Sequence, residues 1–148
     1  MTRARTFVVL AAVFCLAMAF TAQAQASPTQ DIVNRINAKR AAHGLAPLRL
    51  SSSLSRSSKA YSSRMMRTGY FGHQARIQAS RRFHRLGEVL EYRRGYRAGV
   101  RATLRDWLRS PMHRGVLMSS SFRYIGAGLT HGRFHGRRAT IWVAQLGR

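Results

Sequence analysis

Acidic residues are nearly absent from this chain. Its 148 residues include 4 Asp and Glu against 26 Lys and Arg, which gives a formal net charge of +22 at pH 7. Only Lys39 and Lys59 are lysines, so almost every cation is arginine. Such a charge attracts polyanions in general. Because the arginines are spread along the whole chain, two interpretations stay open: a binding role for the charge, or arginine as the ordinary surface cation.

Cysteine is also scarce, since Cys15 is the only one. A disulfide framework within the chain is therefore excluded. Cys15 follows the bulky Phe14 inside an apolar run, which is the wrong context for a lipidated cysteine. The chain also lacks a G-x-S-x-G nucleophile elbow and a glycine-rich loop ending in Gly-Lys-Ser or Gly-Lys-Thr. These absences exclude the corresponding hydrolase and nucleotide-binding motifs.

The N-terminus has the pattern of a cleavable secretory signal peptide. Arg3 and Arg5 precede an apolar run over residues 7–20, and Ala24-Gln25-Ala26 offers an A-x-A cleavage site before Ser27. The run is shorter than the roughly 20 residues that a transmembrane helix needs. We therefore expect a signal peptide over residues 1–26, one domain over residues 27–148, and no transmembrane anchor after cleavage.

Export restricts the partners that the positive charge would meet. The expected location is extracellular or in the cell envelope. In that compartment, nucleic acid is not the expected partner, and lipid headgroups or anionic envelope polymers are better candidates.

The hydrophobic pattern predicts helices first and a hairpin at the end. Val100, Leu104, Trp107 and Leu108 lie on one face of the clearest helix, which Ser110-Pro111 ends. Two helices are expected before it, one capped by Ser27 or Thr29 and ending before Gly44, and one from Ser51 or Ser53 to Gly69, with an extended link at 46–48 between them. A loop with a short helix is expected within 72–85 and a helical turn at 112–118. Strands are expected at 86–92, 124–129 and 139–146. This order indicates an α+β layered domain.

The four acids can be assessed one by one. Asp31 lies in the first turn of a helix, where it complements the helix dipole. Asp106 is flanked by arginines and fits a surface charge, and Glu91 has no evident task. Glu88 lies in a short apolar stretch, so a surface role explains it least well.

The histidines divide in a similar way. His73 and His113 each follow the end of a helix, but their spacing in the chain matches no local metal-binding motif. The others fit solvated or helix-end positions, namely His43, His84, His131 and His135. From these residues alone, a shared metal site is a weak prediction.

Several short segments, taken in order, resemble the CAP superfamily (cysteine-rich secretory protein, antigen 5 and pathogenesis-related 1), also called the SCP domain. The resemblance extends from about Thr29 to the end of the chain, and two segments look like the bacterial form in particular, Trp107–Arg114 and Tyr124–Gly128. The remaining segments are Ile36–Arg40, Gly44–Leu48, Leu54–Met65 with Gly69–His73, Gly87-Glu88, and Ile141–Gly147.

The resemblance implies a three-layer α-β-α sandwich around a small antiparallel sheet. It also implies an open cleft lined by two histidines and two acids, which in this chain would include His73, Glu88 and His113. Where relatives carry the second acid, this chain reads Leu108-Arg109-Ser110, so that acid is missing or Asp106 replaces it from a different face. Val89 stands where the family has asparagine.

Two interpretations of these three residues stay open. His73 and His113 can hold Zn²⁺ with an open position, while Glu88 orients a histidine or a water. Alternatively, Glu88 and His113 form a buried hydrogen-bonded pair that ties the sheet to the helices.

The leading functional prediction is a secreted, non-enzymatic CAP-domain binding module at the cell envelope or outside the cell. The first alternative is a metal-dependent hydrolase in which Glu88 is the general base. The second is a charge-driven binder of anionic envelope polymers or lipids.

Overall fold

The computed structural model describes residues 26–148, so all of the expected signal peptide except Ala26 lies outside the described residues. Four helices and four strands follow one another in an α+β order, as the sequence predicted. They are α1 (Pro28–Ala41), β1 (Arg49–Leu50), α2 (Ser52–Thr68), β2 (Leu86–Arg94), α3 (Val100–Arg109), α4 (Pro111–Leu117), β3 (Tyr124–Phe134) and β4 (Arg137–Gly147). No helix in this part of the chain is both long and apolar enough to cross a membrane.

Serine caps and a glycine set the helix ends. The side chain of Ser27 accepts a hydrogen bond from the Gln30 amide, and that of Ser51 accepts one from the Leu54 amide. Gly69 ends α2 with φ of 68°, a left-handed conformation that glycine adopts without strain. The short helix expected within residues 72–85 is not formed. A hydrogen bond from the Ser57 hydroxyl to the carbonyl of Gln78 holds this segment against α2 as a loop.

The sheet has the order β1-β3-β4-β2. The antiparallel pairs β3–β4 and β4–β2 form its main body, and β3–β4 is the predicted hairpin. The sheet is mixed rather than purely antiparallel, because the two residues of β1 pair in parallel with β3. Backbone hydrogen bonds from the Arg49 and Ser51 amides to the carbonyls of Arg123 and Ile125 draw the extended link into the sheet edge.

The sheet lies between two helical layers. Alternate residues of the strands point to opposite faces, so Val89 and Trp142 pack with Trp107 of α3, and Leu90 and Val143 pack in a separate core that α2 covers. The first core also contains Ile32, Val33 and Ile36 of α1 and Ile125, Ala127, Ala144 and Leu146 of the sheet. The second core also contains Tyr61, Met65 and Met66 of α2 and Ile141 of β4. The result is the three-layer α-β-α arrangement.

Two glycines of β3 allow α2 to approach the sheet closely. A Cβ atom at Gly126 would lie 2.1 Å from the Ser55 amide nitrogen, and one at Gly128 would lie 2.3 Å from the Lys59 amide nitrogen. These are backbone atoms that cannot move aside. The small residues of β3 therefore set the distance between α2 and the sheet.

Candidate functional site

Glu88 is the buried centre of the site. It lies in β2 directly opposite Gln145 of β4, and its side chain is only 3% exposed. Leu90, two residues along the strand, belongs to the core beneath α2. Because side chains alternate along a strand, Glu88 lies on the α2 face of the sheet.

The Glu88 carboxylate accepts hydrogen bonds on both oxygens. Oε1 accepts from His73 Nδ1 at 3.1 Å and from the Gln74 amide at 3.3 Å. Oε2 accepts from the side-chain amides of Gln74 at 2.8 Å and Gln145 at 3.0 Å. Four donors around one carboxylate use its accepting capacity. Glu88 is therefore held in place as an acceptor.

His73 lies at the mouth of the site, in the loop that follows α2. The hydroxyl of Tyr61 donates to the Gly72 carbonyl at 2.5 Å, which fixes the start of this loop. Because an ionised carboxylate can only accept, Nδ1 of His73 carries the hydrogen in the bond to Glu88. Nε2 is left free of that contact, and the His73 side chain is 55% exposed.

His113 lies in α4, with its ring near that of His73. The hydroxyl of Ser110 accepts a hydrogen bond from the His113 amide and caps α4. The rings of His113 and His73 have centroids 6.4 Å apart. Burial, and then repulsion from the charge of His73, lower the pKa of His113. The structure thus brings together the three predicted residues, but the carboxylate pairs with His73 and not with His113.

Asp106 does not supply the second acid of the cleft. Its carboxylate accepts hydrogen bonds from Arg93 at 2.9 Å and Arg105 at 3.0 Å. Burial alone would raise its pKa, but these two arginines outweigh burial and lower the pKa of Asp106. Arg93 and Glu88 are separated by an odd number of positions along β2, so their side chains point to opposite faces of the sheet. Asp106, which binds Arg93, therefore lies on the face away from Glu88. The cleft of this chain contains one acid.

The residues of the site do not fit the zinc ion of the first interpretation. Zinc sites in proteins use three or four protein ligands. His73 and His113 provide two nitrogens, and both oxygens of Glu88 are already engaged. Across residues 26–148, no cluster of three or more His, Cys, Asp and Glu side chains could hold a metal ion.

No sequence motif pointed to Gln74 and Gln145. Gln145 is fully buried in β4, at a position whose neighbours on the same face are apolar. A polar residue there needs a buried partner, and this was the signal that could have pointed to it. Its Oε1 atom has no hydrogen-bond partner. Gln74 had only its position next to His73 to indicate a role.

Large exposed apolar side chains lie close in the chain to His73 and His113. Tyr70 is 60% exposed, Phe71 is 40% exposed and Met112 is 82% exposed. Tyr70 and His73 both line a cavity of about 550 Å³ between the end of α2 and the following loop. The site is thus open to a ligand that offers both polar and apolar groups.

Comparison with known proteins defines the class. The family model described as "CAP: Cysteine-rich secretory protein family" matches residues 33–146. This match covers most of the chain, which therefore belongs to the CAP family. A search of curated proteins finds no match.

Solved structures of other proteins share the fold. An outer surface protein of Borrelia burgdorferi aligns with a TM-score of 0.66 at 18% identity, over 80% of this chain and 90% of that one. An extracellular SCP-domain protein of Bacillus anthracis aligns with a TM-score of 0.64 at 22% identity, over 82% of this chain and 40% of that one. Venom allergen-like protein 4 of Schistosoma mansoni aligns with a TM-score of 0.63 at 13% identity, over 82% and 88%. At these identities the likeness concerns the fold alone.

Proposed function

We propose that this CAP-domain protein is a secreted, non-enzymatic binding module that acts at the cell envelope or outside the cell. The observation that carries the proposal is the state of Glu88, whose two oxygens accept four hydrogen bonds. Such a carboxylate holds His73 in a fixed orientation. A fixed, half-exposed imidazole in an open cleft suits ligand recognition.

The same contacts argue against the hydrolase alternative. A general base must reach the proton that it removes, either directly or through one water. The Glu88 side chain is 3% exposed and its oxygens already face four donors. The metal that would activate a water also lacks a third protein ligand. No contact in the site favours this alternative.

The surface charge supports the second alternative, charge-driven binding of anionic envelope polymers or lipids. Within the described residues, only Arg35, Arg93 and Arg105 form ion pairs with acids. Apart from Arg40, which is buried, the remaining arginines of this part of the chain have no acidic partner, so their charge is available to an external polyanion. This alternative needs no cleft, so a substitution in the cleft distinguishes it from the leading proposal.

The test measures how much protein sediments with isolated envelope fragments and with anionic lipid vesicles at two salt concentrations. We expect the wild-type protein to bind the envelope fragments without cleaving them. We expect His73→Ala to bind them about tenfold more weakly, because a hydrogen-bonding group of the cleft is lost. His43→Ala is the matched control, since His43 is exposed at the end of α1 and bonds only to the Lys39 carbonyl.

Two outcomes would contradict this proposal. If wild type binds none of these materials, the envelope role is wrong. If His73→Ala binds as well as wild type and salt abolishes binding of both proteins, the charge-driven alternative replaces the cleft.

A further inference from the structure

The cavity beside His73 is lined by cations and contains no acid. Arg64 of α2 and Arg76 of the following loop line it together with His73. The other polar residues of its lining are uncharged, namely Tyr61, Thr68, Tyr70, Gln74 and Gln78. Its volume is about 550 Å³. The cavity therefore has an excess of positive charge and several side chains that can donate hydrogen bonds.

The four acids of the chain contact residues other than Arg64 and Arg76. Asp31 pairs with Arg35, and Glu91 and Asp106 pair with Arg93. Glu88 faces His73 and the two glutamines, and it is not among the residues that line the cavity. No carboxylate of residues 26–148 forms an ion pair with Arg64 or Arg76.

We propose that the cavity formed by Arg64, Arg76 and His73 binds a phosphate group of an anionic ligand. Guanidinium groups recognise phosphate through paired N–H donors, and such charge-assisted hydrogen bonds are stronger than neutral ones. Tyr70 adds a hydroxyl and an exposed ring at the rim, where the rest of the ligand would leave the cavity. This inference rests on the proposed binding function, and it specifies the chemical group of the ligand that the cavity beside the cleft recognises.

The absence of a second acid in the cleft also favours an anionic ligand. A cleft with two carboxylates and two histidines would attract a cation. In this chain one carboxylate is missing, the other is surrounded by donors, and two arginines line the neighbouring cavity. The charge of the region therefore favours an anion.

The experiment titrates the full mature protein with inorganic phosphate and with glycerol 3-phosphate by calorimetry at low ionic strength. We expect the double variant Arg64→Gln/Arg76→Gln to bind about tenfold more weakly than wild type, because two charged donors are lost. The matched control is Arg56→Gln/Arg137→Gln, which removes the same charge from exposed positions outside this cavity. Since all four positions are exposed, melting temperatures should stay close to that of wild type.

The comparison of the two double variants decides the proposal. A larger loss in the cavity variant supports a phosphate site, whereas equal losses in both variants, or no binding by wild type, overturn it. Vesicles of phosphatidylglycerol provide a second arm. If they compete with glycerol 3-phosphate, the source is a lipid headgroup, and if they do not, it is a soluble or polymer phosphate.

The same proteins separate this inference from the proposed function. If wild type binds envelope fragments but the cavity variant binds phosphate like the control, the binding module stands and the phosphate site is wrong. If phosphate binds in the cavity but envelope fragments are not bound, the phosphate site stands and the envelope role is wrong.

Discussion

Trp107→Ala should lower the free energy of unfolding by about 3–5 kcal/mol. Trp107 lies in α3 with no exposed surface, within the core that α1, α3 and the sheet share. Its indole nitrogen also donates to the Leu90 carbonyl at 2.9 Å. The substitution leaves a large cavity and removes the partner of a buried carbonyl, so both effects act in the same direction.

Chemical denaturation of Trp107→Ala and Arg109→Ala measures this effect against a matched control. Arg109 is exposed at the end of the same helix, and its substitution should change stability by less than about 0.5 kcal/mol. If Trp107→Ala unfolds at the same denaturant concentration as wild type, the packing of α3 against the sheet is not as described.

Arg40→Ala should lower the free energy of unfolding by about 3 kcal/mol or more, because three carbonyls lose their donor. Arg40 is 1% exposed and has no acid partner. Its Nε donates to Ala46, and its Nη1 donates to the carbonyls of Leu117 and Ser119 at 2.7 and 2.9 Å. One side chain thus ties the end of α1 to the end of α4, where helix carbonyls lack intrahelical partners.

Two further variants separate the hydrogen bonds of Arg40 from its packing. Arg40→Met keeps an apolar stem but no donors, so we expect it to recover only part of the lost stability. Lys39→Ala, at the exposed neighbouring position, should melt close to wild type. If Arg40→Met is as stable as wild type, the three hydrogen bonds do not hold the two helix ends together.

Local patterns in the sequence predicted most of the fold. The spacing of Leu104, Trp107 and Leu108 indicated the apolar face of α3. The apolar runs at 124–129 and 139–146 indicated the hairpin, whose strands extend further towards the turn than predicted, to Phe134 and from Arg137. Serine caps and Gly69 placed the helix ends to within a few residues. In these cases the residues that determine an element lie inside it or next to it.

Features that depend on distant residues could not be predicted in this way. The two residues of β1 become a strand only because β3, far along the chain, offers its edge. The segment 72–85 stays a loop because Ser57 and Glu88 satisfy its polar groups. The role of Arg40 depends on carbonyls at the end of α4, which no local pattern connects to α1.

The candidate site shows the same division. The resemblance to the CAP family singled out His73, Glu88 and His113, which the structure places together. It did not indicate which histidine contacts the carboxylate, because that depends on how the loop after α2 places His73 against Glu88. It also did not indicate the register of β2 and β4, which sets Gln145 opposite Glu88. The donors from Gln74 and Gln145 change Glu88 from a candidate base into a fixed acceptor.

The tautomer of His73 tests this account most directly. The ¹⁵N spectrum of the histidine-labelled protein, recorded at a pH where His73 is neutral, reports which ring nitrogen carries the hydrogen. We expect a hydrogen on Nδ1 and a free Nε2, because the Glu88 carboxylate accepts from Nδ1. A neutral His73 with its hydrogen on Nε2 would contradict the account, since Glu88 would then not hold the ring as described.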